Sequence, residues 1–405
     1  MTDAAPEVAA ADYLDQRWHR TLLDELCGFT RETASDGERA AANWLLERLA
    51  SEGASDARIE EHRGHQTFWW PLGLAAAGGV FAGVRAIRGR SLGAAALAAA
   101  AAWAAADELP PRRRRLRAAL PRSTATNVIA SLGPARASRT LVLVAHHDAA
   151  HSGLVFGPAI PTAIERVAPW FFEVADTSPP LVWPAVIGPA LAAAGAATGS
   201  RRLARAGALL SAAFAAALAN IAASAVVPGA NDNGTGVVVL IALARALARR
   251  PTESVRVMLV STSEEGICEG MRAFADRHFD ELPTPDTFFL AIDTVGSPHL
   301  LVLRGEGMLR MCEYPARSLQ LLDRLGDELG IWLFPNLRLR NATDGIYPLA
   351  AGYQCGSLCS CTPLKQPANY HWPTDRPENV DYGTLADAIR LVEALVRRLD
   401  HRWLD

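Results

Sequence analysis

Four stretches of this chain carry no charged side chain: residues 66–84, 91–106, 177–200 and 206–231. Runs of this kind are helices buried either in lipid or against protein. They come in pairs. Arg85, Arg88 and Arg90 separate the first two, and Arg201, Arg202 and Arg205 the last two, so each pair reads as an antiparallel helical hairpin with a short basic tip. Crossing a bilayer's hydrocarbon core takes about 20 apolar residues. The third and fourth windows reach that length, whereas the sixteen residues of the second make roughly 24 Å of helix. Trp69, Trp70, Trp103, Trp170 and Trp183 lie at or near window ends, where indole rings favour the headgroup zone. Insertion in a membrane is the expected fate; the alternative is alanine-rich helices packed on a soluble core, since alanine is barely hydrophobic.

Orientation follows less directly. The hairpin tips carry three arginines each, while Arg112, Arg113, Arg114, Arg115 and Arg117 stand at the opposite flank, so the positive-inside rule nearly cancels. The start of the chain holds Asp3, Glu7, Asp12 and Asp15 and shows no cleavable signal peptide. Export of the folded segment before the first window would then be difficult, which places the soluble part on the cytoplasmic side.

The rest of the composition narrows the partners. In 405 residues, 40 basic side chains face 43 acidic ones, a net charge of −3 that shows no basic face for nucleic acid. Half the residues are apolar, which excludes disorder as the default. Six cysteines are too few for a disulfide-built scaffold. Lys365 is the single lysine, so arginine clusters and alanine runs reflect a compositional bias and weigh less than they otherwise would.

Outside the hairpins the pattern alternates. Residues 38–49 read as an amphipathic helix, 126–130, 140–145, 255–261 and 288–293 as strands, and 236–249 and 384–399 as helices. This implies an α/β sheet covered on both faces, a class that places ligands at the carboxyl ends of its strands. At those ends and beside them stand His146-His147-Asp148, Asn231-Asp232-Asn233-Gly234, Glu264-Glu265, Asp293 and a loop with His371 and Asp375. Each alone is ordinary; a common position of imidazoles and carboxylates suits zinc. Two divalent ions about 3.5–4 Å apart need a bridging carboxylate, acidify a shared water and polarise a carbonyl. A further carboxylate must then move the proton to the leaving amine. Adjacent glutamates in an extended segment point opposite ways, so in Glu264-Glu265 one can coordinate while its neighbour serves as base.

The stretches TNVIASLG, LVLVAHHDAAHSG, PGANDNGTGVVVLIALARAL, VRVMLVSTSEEGICEGMRAFA, FFLAIDTVG and YHWPTDRPENVD together resemble, in order, the co-catalytic zinc aminopeptidase family, metallopeptidase family twenty-eight, whose wider clan includes glutaminyl cyclases. The resemblance implies a central mixed sheet flanked by helices, with the two apolar hairpins inserted into it. It also implies two zinc ions. His146 and Asp293 would hold one ion and Glu265 and His371 the other, with Asp232 as the bridge. Glu264 would be the general base and later the acid, and Asp148 would orient His146. Asp375 would steady the His371 loop, and Tyr370 would be wall or hydroxyl donor.

The expected organisation is 1–65, 118–153 and 229–405 as parts of one peptidase domain, with 66–107 and 177–228 as the hairpins. Two departures stand out: the second hairpin separates the His-x-Asp strand from the Asp-Asn turn, and Thr343-Asp344-Gly345 stands where relatives show Ser-Asp-His. Cys355, Cys359 and Cys361 read as a buried strand with free thiols or a Cys355–Cys359 bridge, and Cys268 as packing. The functional expectation is a membrane-anchored metallo-aminopeptidase acting on a peptide or aminoacyl substrate. The alternatives are a glutaminyl cyclase around one zinc and a catalytically silent membrane module.

Overall fold

Leucine, valine and isoleucine fill the middle strands of the sheet because both of its faces are covered. The computed structural model describes residues 12–265 and 267–404; Asp3 and Glu7 of the acidic start lie outside the described residues. Among the described residues nine strands form: β1 (Arg58–Gly64), β2 (Ser123–Leu132), β3 (Arg139–His146), β4 (Val255–Thr262), β5 (Thr287–Ile292), β6 (His299–Val302), β7 (Gly305–Glu306), β8 (Cys312–Glu313) and β9 (Gln354–Cys361). Seven make one mixed sheet in the order β1-β2-β4-β3-β5-β9-β6, with β4, β3, β5 and β9 parallel and the outer pairings antiparallel. β7 and β8 form a separate ribbon.

Along β3, Leu141, Leu143 and Ala145 enter the core on one face, beneath helices Thr235–Arg249 and Tyr382–His401. Val142 and Val144 enter the core on the other, with Met271 and Phe274 of helix Glu269–His278. The expected central mixed sheet flanked by helices is therefore the fold. All six cysteines are free, and Cys355, Cys359 and Cys361 line one apolar face of β9. The expected alternative of a Cys355–Cys359 bridge is not made.

Register positions the site. His146 pairs with Thr262, so β3 and β4 end level and the residues after them share one rim. β5 ends at Ile292, opposite Leu358, which leaves Asp293 just past the strand on the same rim.

The apolar windows form helices of 19 residues (Trp69–Ile87), 17 (Leu92–Glu108), 15 (Pro184–Thr198) and 23 (Arg201–Ala223). Length differs from expectation in the third window. Pro179, Pro180 and the residues up to Trp183 stay outside the helix, since proline removes a donor and disfavours helix before it. Among the described residues, the helices long and apolar enough to cross a membrane are the first and the fourth. Arg201, Arg202 and Arg205 are not a loop between helices but the first turns of the fourth, behind the Gly199-Ser200 turn.

The four helices pack mainly on one another, around Ala82, Ala86, Ala98, Ala192 and Ala204. A Cβ on Gly195 would lie 2.4 Å from the Ala204 nitrogen, and one on Gly207 2.3 Å from the Ala192 nitrogen, so these backbones approach as only glycine permits. The chain leaves β3 for this bundle and returns through a zipped neck. Ser152 N–H donates to Ala225 O at 2.9 Å, Val227 N–H donates to Ala150 O at 2.9 Å, and His151 bridges Val226.

Candidate metal centre

Residues 229–234 form an irregular turn ahead of helix Thr235–Arg249, fixed by the asparagines on either side of Asp232. Asn231 Oδ1 accepts the Gly296 N–H (2.8 Å) and its Nδ2 donates to Ser297 Oγ (3.1 Å) and Ala368 O (3.2 Å). Asn233 Oδ1 accepts the N–H of Gly236 (3.1 Å) and Thr294 (3.0 Å), and its Nδ2 donates to Ile292 O (2.8 Å). Asp375 accepts the N–H of Asn231 (2.7 Å) and Asp232 (3.0 Å), so its direct hold is on the Asp232 turn. Three loops are thereby stitched around one carboxylate.

Asp232 faces both histidines. One oxygen lies 3.2 Å from His146 Nε2 and the other 3.2 Å from His371 Nε2. His371 Nε2 is 3.4 Å from Glu265 Oε1, and His146 Nε2 is 3.1 Å from Glu264 Oε2. The donor atoms of His146, Asp232 and Glu265 lie within 4.8 Å of one another, as do those of His146, Glu264 and Asp293. Among the predicted residues, Glu264 thus stands as near the centre as the expected ligands do. His371 reaches it with a φ of 47°, a left-handed backbone that non-glycine residues seldom adopt.

These residues fit a cation. His146 Nε2 and Asp232 Oδ2 are buried and make no hydrogen bond, although oppositely chargeable atoms stand near each. Ligands on a tetrahedral zinc at about 2.0–2.1 Å sit about 3.3 Å apart, the spacing found here. The proton affinities agree with this. Burial, reinforced by the neighbouring carboxylates Asp232, Asp344 and Glu265, pushes Asp293 up to about 8. Burial likewise raises Glu264 well above the carboxylate range, against the pull of His146 and with Asp293 and Asp344 adding to it. Burial would lower His371, but Glu265 and Asp232 hold it up to about 10. Without a cation Asp293, Glu264 and His371 hold on to protons that a divalent ion would displace.

The second layer was only partly legible in the sequence. Asp148 is fully buried, and its Oδ1 lies 3.3 Å from His146 Nδ1. It also accepts Thr33 Oγ1–H (2.6 Å) and the N–H groups of Glu264 (2.8 Å) and Glu265 (3.0 Å). Thr33 was not foreseen. Nor was Glu38, which is fully buried, bonds the Thr126 N–H (3.1 Å) and lies 3.1 Å from His147 Nε2. Its one signal is the Ser35-x-x-Glu38 spacing of a capping box: Ser35 Oγ accepts the Glu38 N–H, while Glu38 accepts the N–H of Ala34, one residue ahead of the cap, both at 3.1 Å.

Buried Arg31 donates to His147 O (2.8 Å) and Gly229 O (2.6 Å), joining the chain before the second insertion to the chain after it. Cys268 donates its thiol hydrogen to Glu264 Oε1 (3.3 Å). Asp344, where the expected histidine motif is broken, accepts Thr262 Oγ1–H, and burial raises it to about 6. The Tyr370 ring stacks on His371 at 4.0 Å and its hydroxyl accepts from Asn341 Nδ2 (3.0 Å), which makes it wall.

The model of Peptidase family M28 matches residues 215–396. That span contains Asp232, Glu264, Glu265, Asp293 and His371 but not His146 or Asp148. No curated protein matches by sequence. The fold is similar to an aminopeptidase from Aneurinibacillus sp. strain AM-1 (14% identity, 96% of this chain and 94% of that chain, TM-score 0.56). It is also similar to a glutaminyl cyclase of Tannerella forsythia (14%, 95% and 98%, TM-score 0.56). A Zn-dependent exopeptidase of Parabacteroides distasonis shares it too (13%, 95% and 98%, TM-score 0.53). At these identities the likeness is one of fold.

Proposed function

We propose that this protein is a zinc-dependent exopeptidase of the aminopeptidase type, holding two ions and anchored in a membrane by its helical bundle. One observation carries the reading: the two oxygens of Asp232 each face the Nε2 of a different histidine at 3.2 Å, the placement of a carboxylate shared by two ions. His146, Asp232 and Asp293 would hold one ion; Asp232, Glu265 and His371 would hold the other. When bound, zinc supplies an acidified water and a polarised carbonyl.

The chain's own groups do the rest. Glu264 Oε1 is occupied by the Cys268 thiol, which leaves Oε2 toward the centre to take a proton and return it to the leaving amine. Burial raises its affinity for that proton, as a base that must later act as an acid requires. Asp148 fixes the His146 ring by Nδ1 and, through two backbone N–H groups, the glutamate pair. Tyr370 and Phe156, whose rings lie 4.0 and 4.5 Å from the His371 ring, wall the site against water.

Anchoring is supported by where apolar surface is exposed. Of fifteen exposed large apolar side chains among the described residues, fourteen lie on the four bundle helices or within residues 154–181; Trp332 is the exception. Only 28% of the most apolar window of helix Arg201–Ala223 is buried, too little for the core helix of a soluble protein. Helices of 19 and 23 residues extend roughly 28 and 35 Å, enough for a hydrocarbon core of about 30 Å.

The test is metal analysis of the purified protein together with an assay on a panel of aminoacyl amides, with and without chelator. Two zinc equivalents and chelator-sensitive hydrolysis that Glu264→Gln abolishes, with zinc retained, are expected. Cyclisation of N-terminal glutaminyl peptides without amide hydrolysis, or hydrolysis undiminished in Glu264→Gln, would overturn the peptidase reading. Release of the protein from membranes by carbonate at high pH would overturn the anchoring.

A further inference from the structure

Away from the metal centre, a cavity of about 150 Å³ opens between β1, residues 113–122 that follow helix Leu92–Glu108, and helix Glu269–His278, lined by Arg63, Arg113, Arg114, Arg117, Arg122 and Arg272. A single water needs only about 10–15 Å³. Arginine is this chain's default cation, so its abundance alone means little; placement is what counts. Arg114 and Arg117 are each 1% exposed, whereas Arg63, Arg113 and Arg122 are exposed at the mouth.

The acidic residues do not balance this lining. Glu269 and Asp276 also line the cavity, and Glu108 pairs with Arg117 behind it. Even so, guanidinium groups outnumber carboxylates two to one. Glu269 is further engaged by His65 at 3.0 Å and Arg117 at 3.3 Å. None of the three nitrogens of the buried Arg114 guanidinium has a hydrogen-bond partner among the described residues. A buried cation without a partner is costly, and a group with several acceptor oxygens would satisfy it.

Position indicates which anion. Arg115 is fixed to Asp107 at 3.1 Å and its guanidinium stands over the Trp103 ring at 5.2 Å. Trp103 is exposed on the last turns of the bundle helix, the level at which an indole meets lipid headgroups. A basic pocket at that level is suited to an anionic headgroup.

We propose that this cavity binds the phosphate of an anionic phospholipid. The choice of a lipid rests on the membrane anchoring proposed above; the phosphate chemistry does not. The test uses full-length protein in a phosphatidylcholine-like detergent, titrated separately with dihexanoyl phosphatidylglycerol and with inorganic phosphate, binding being read by calorimetry. Arg113→Ala and Arg272→Ala alter the rim and leave the core intact, and Arg324→Ala serves as a control on a remote surface.

Phosphatidylglycerol should bind at least about tenfold tighter than inorganic phosphate. Each rim substitution should weaken it about tenfold, the usual worth of a charge-assisted hydrogen bond, with Arg324→Ala unchanged. Equal affinity for both ligands, still lost in the rim variants, would overturn the lipid as the source. Binding insensitive to Arg113→Ala and Arg272→Ala, or no binding of either ligand, would overturn the site itself. Because inorganic phosphate needs no membrane, that arm reads the pocket even if the protein proves not to be membrane-anchored.

Discussion

Replacing Asp148 with asparagine tests how the centre is held, because its two oxygens serve four different groups. Oδ1 accepts the Glu264 N–H and faces His146 Nδ1; Oδ2 accepts Thr33 Oγ1–H and the Glu265 N–H. An amide must turn its NH2 toward one of these pairs. Facing the first pair, it would orphan the Glu264 N–H and force Nδ1 of His146 to accept, putting the proton on the Nε2 that faces Asp232 and Glu264. Facing the second, it would orphan the Glu265 N–H while the Thr33 hydroxyl rotates to accept. The second orientation is the cheaper, and leaving one buried N–H unpaired costs about 1–3 kcal/mol.

Asp148→Asn should therefore lower the urea midpoint by an amount equivalent to about 2 kcal/mol and weaken zinc binding or activity by about 10–100-fold. A pH signature accompanies it. Burial raises Asp148, but His146 and Thr33 outweigh burial and hold it below the usual carboxylate range. Its contribution is then fully present above the unfolded value near 4 and is lost as pH falls through the lower folded value; the asparagine variant lacks this loss. Urea titrations at pH 3 to 7, with zinc affinity by competition against a chromophoric chelator, read both effects. An unchanged midpoint with unchanged zinc affinity would refute the shared-carboxylate account.

Asp232→Ala should reduce bound zinc from two equivalents to none by elemental analysis; two retained equivalents would dismiss the bridge. Chelator-treated protein should melt at progressively lower temperature from pH 5 to pH 9. Asp293, raised to about 8, opposes folding increasingly as pH climbs from its unfolded value near 4, and stability from His371, raised to about 10, is lost above about 6.5. Excess zinc should abolish that trend in scanning calorimetry, and a flat melting profile of the metal-free protein would contradict it. Gly207→Leu should destabilise the bundle, since its Cβ alone would stand 2.3 Å from the Ala192 nitrogen. Melting of the detergent-solubilised protein, with zinc content as a control on the distant sheet domain, would show the loss.

Strands with unbroken valine and leucine announced a sheet covered on both faces, and the carboxyl ends of those strands told where to look for chemistry. His146, Asp232, Glu264, Glu265, Asp293 and His371 were legible because parallel strands in register deliver their succeeding loops to one rim. Thr33 and Glu38 were not, because their partners Asp148 and Thr126 lie 115 and 88 residues away, a pairing that no local pattern encodes. Glu38 was hidden further by doubling as a cap. The third apolar window misled on length because charge was counted and the prolines were not. Cys268 reads as packing and does pack, with Leu109, Met308, Ala342 and Ile346; its added contact with Glu264 is what no local pattern announced.

The neck that zips residues 150–152 to 225–227 has a bearing on biogenesis. The first hairpin lies between β1 and β2, which pair antiparallel, and the second departs and returns at a single point of the rim. A ribosome must therefore deliver all four apolar helices before β4, the strand that joins β2 to β3, has emerged. The bundle's helices are thus complete before the sheet can be, and the pocket on its rim assembles last.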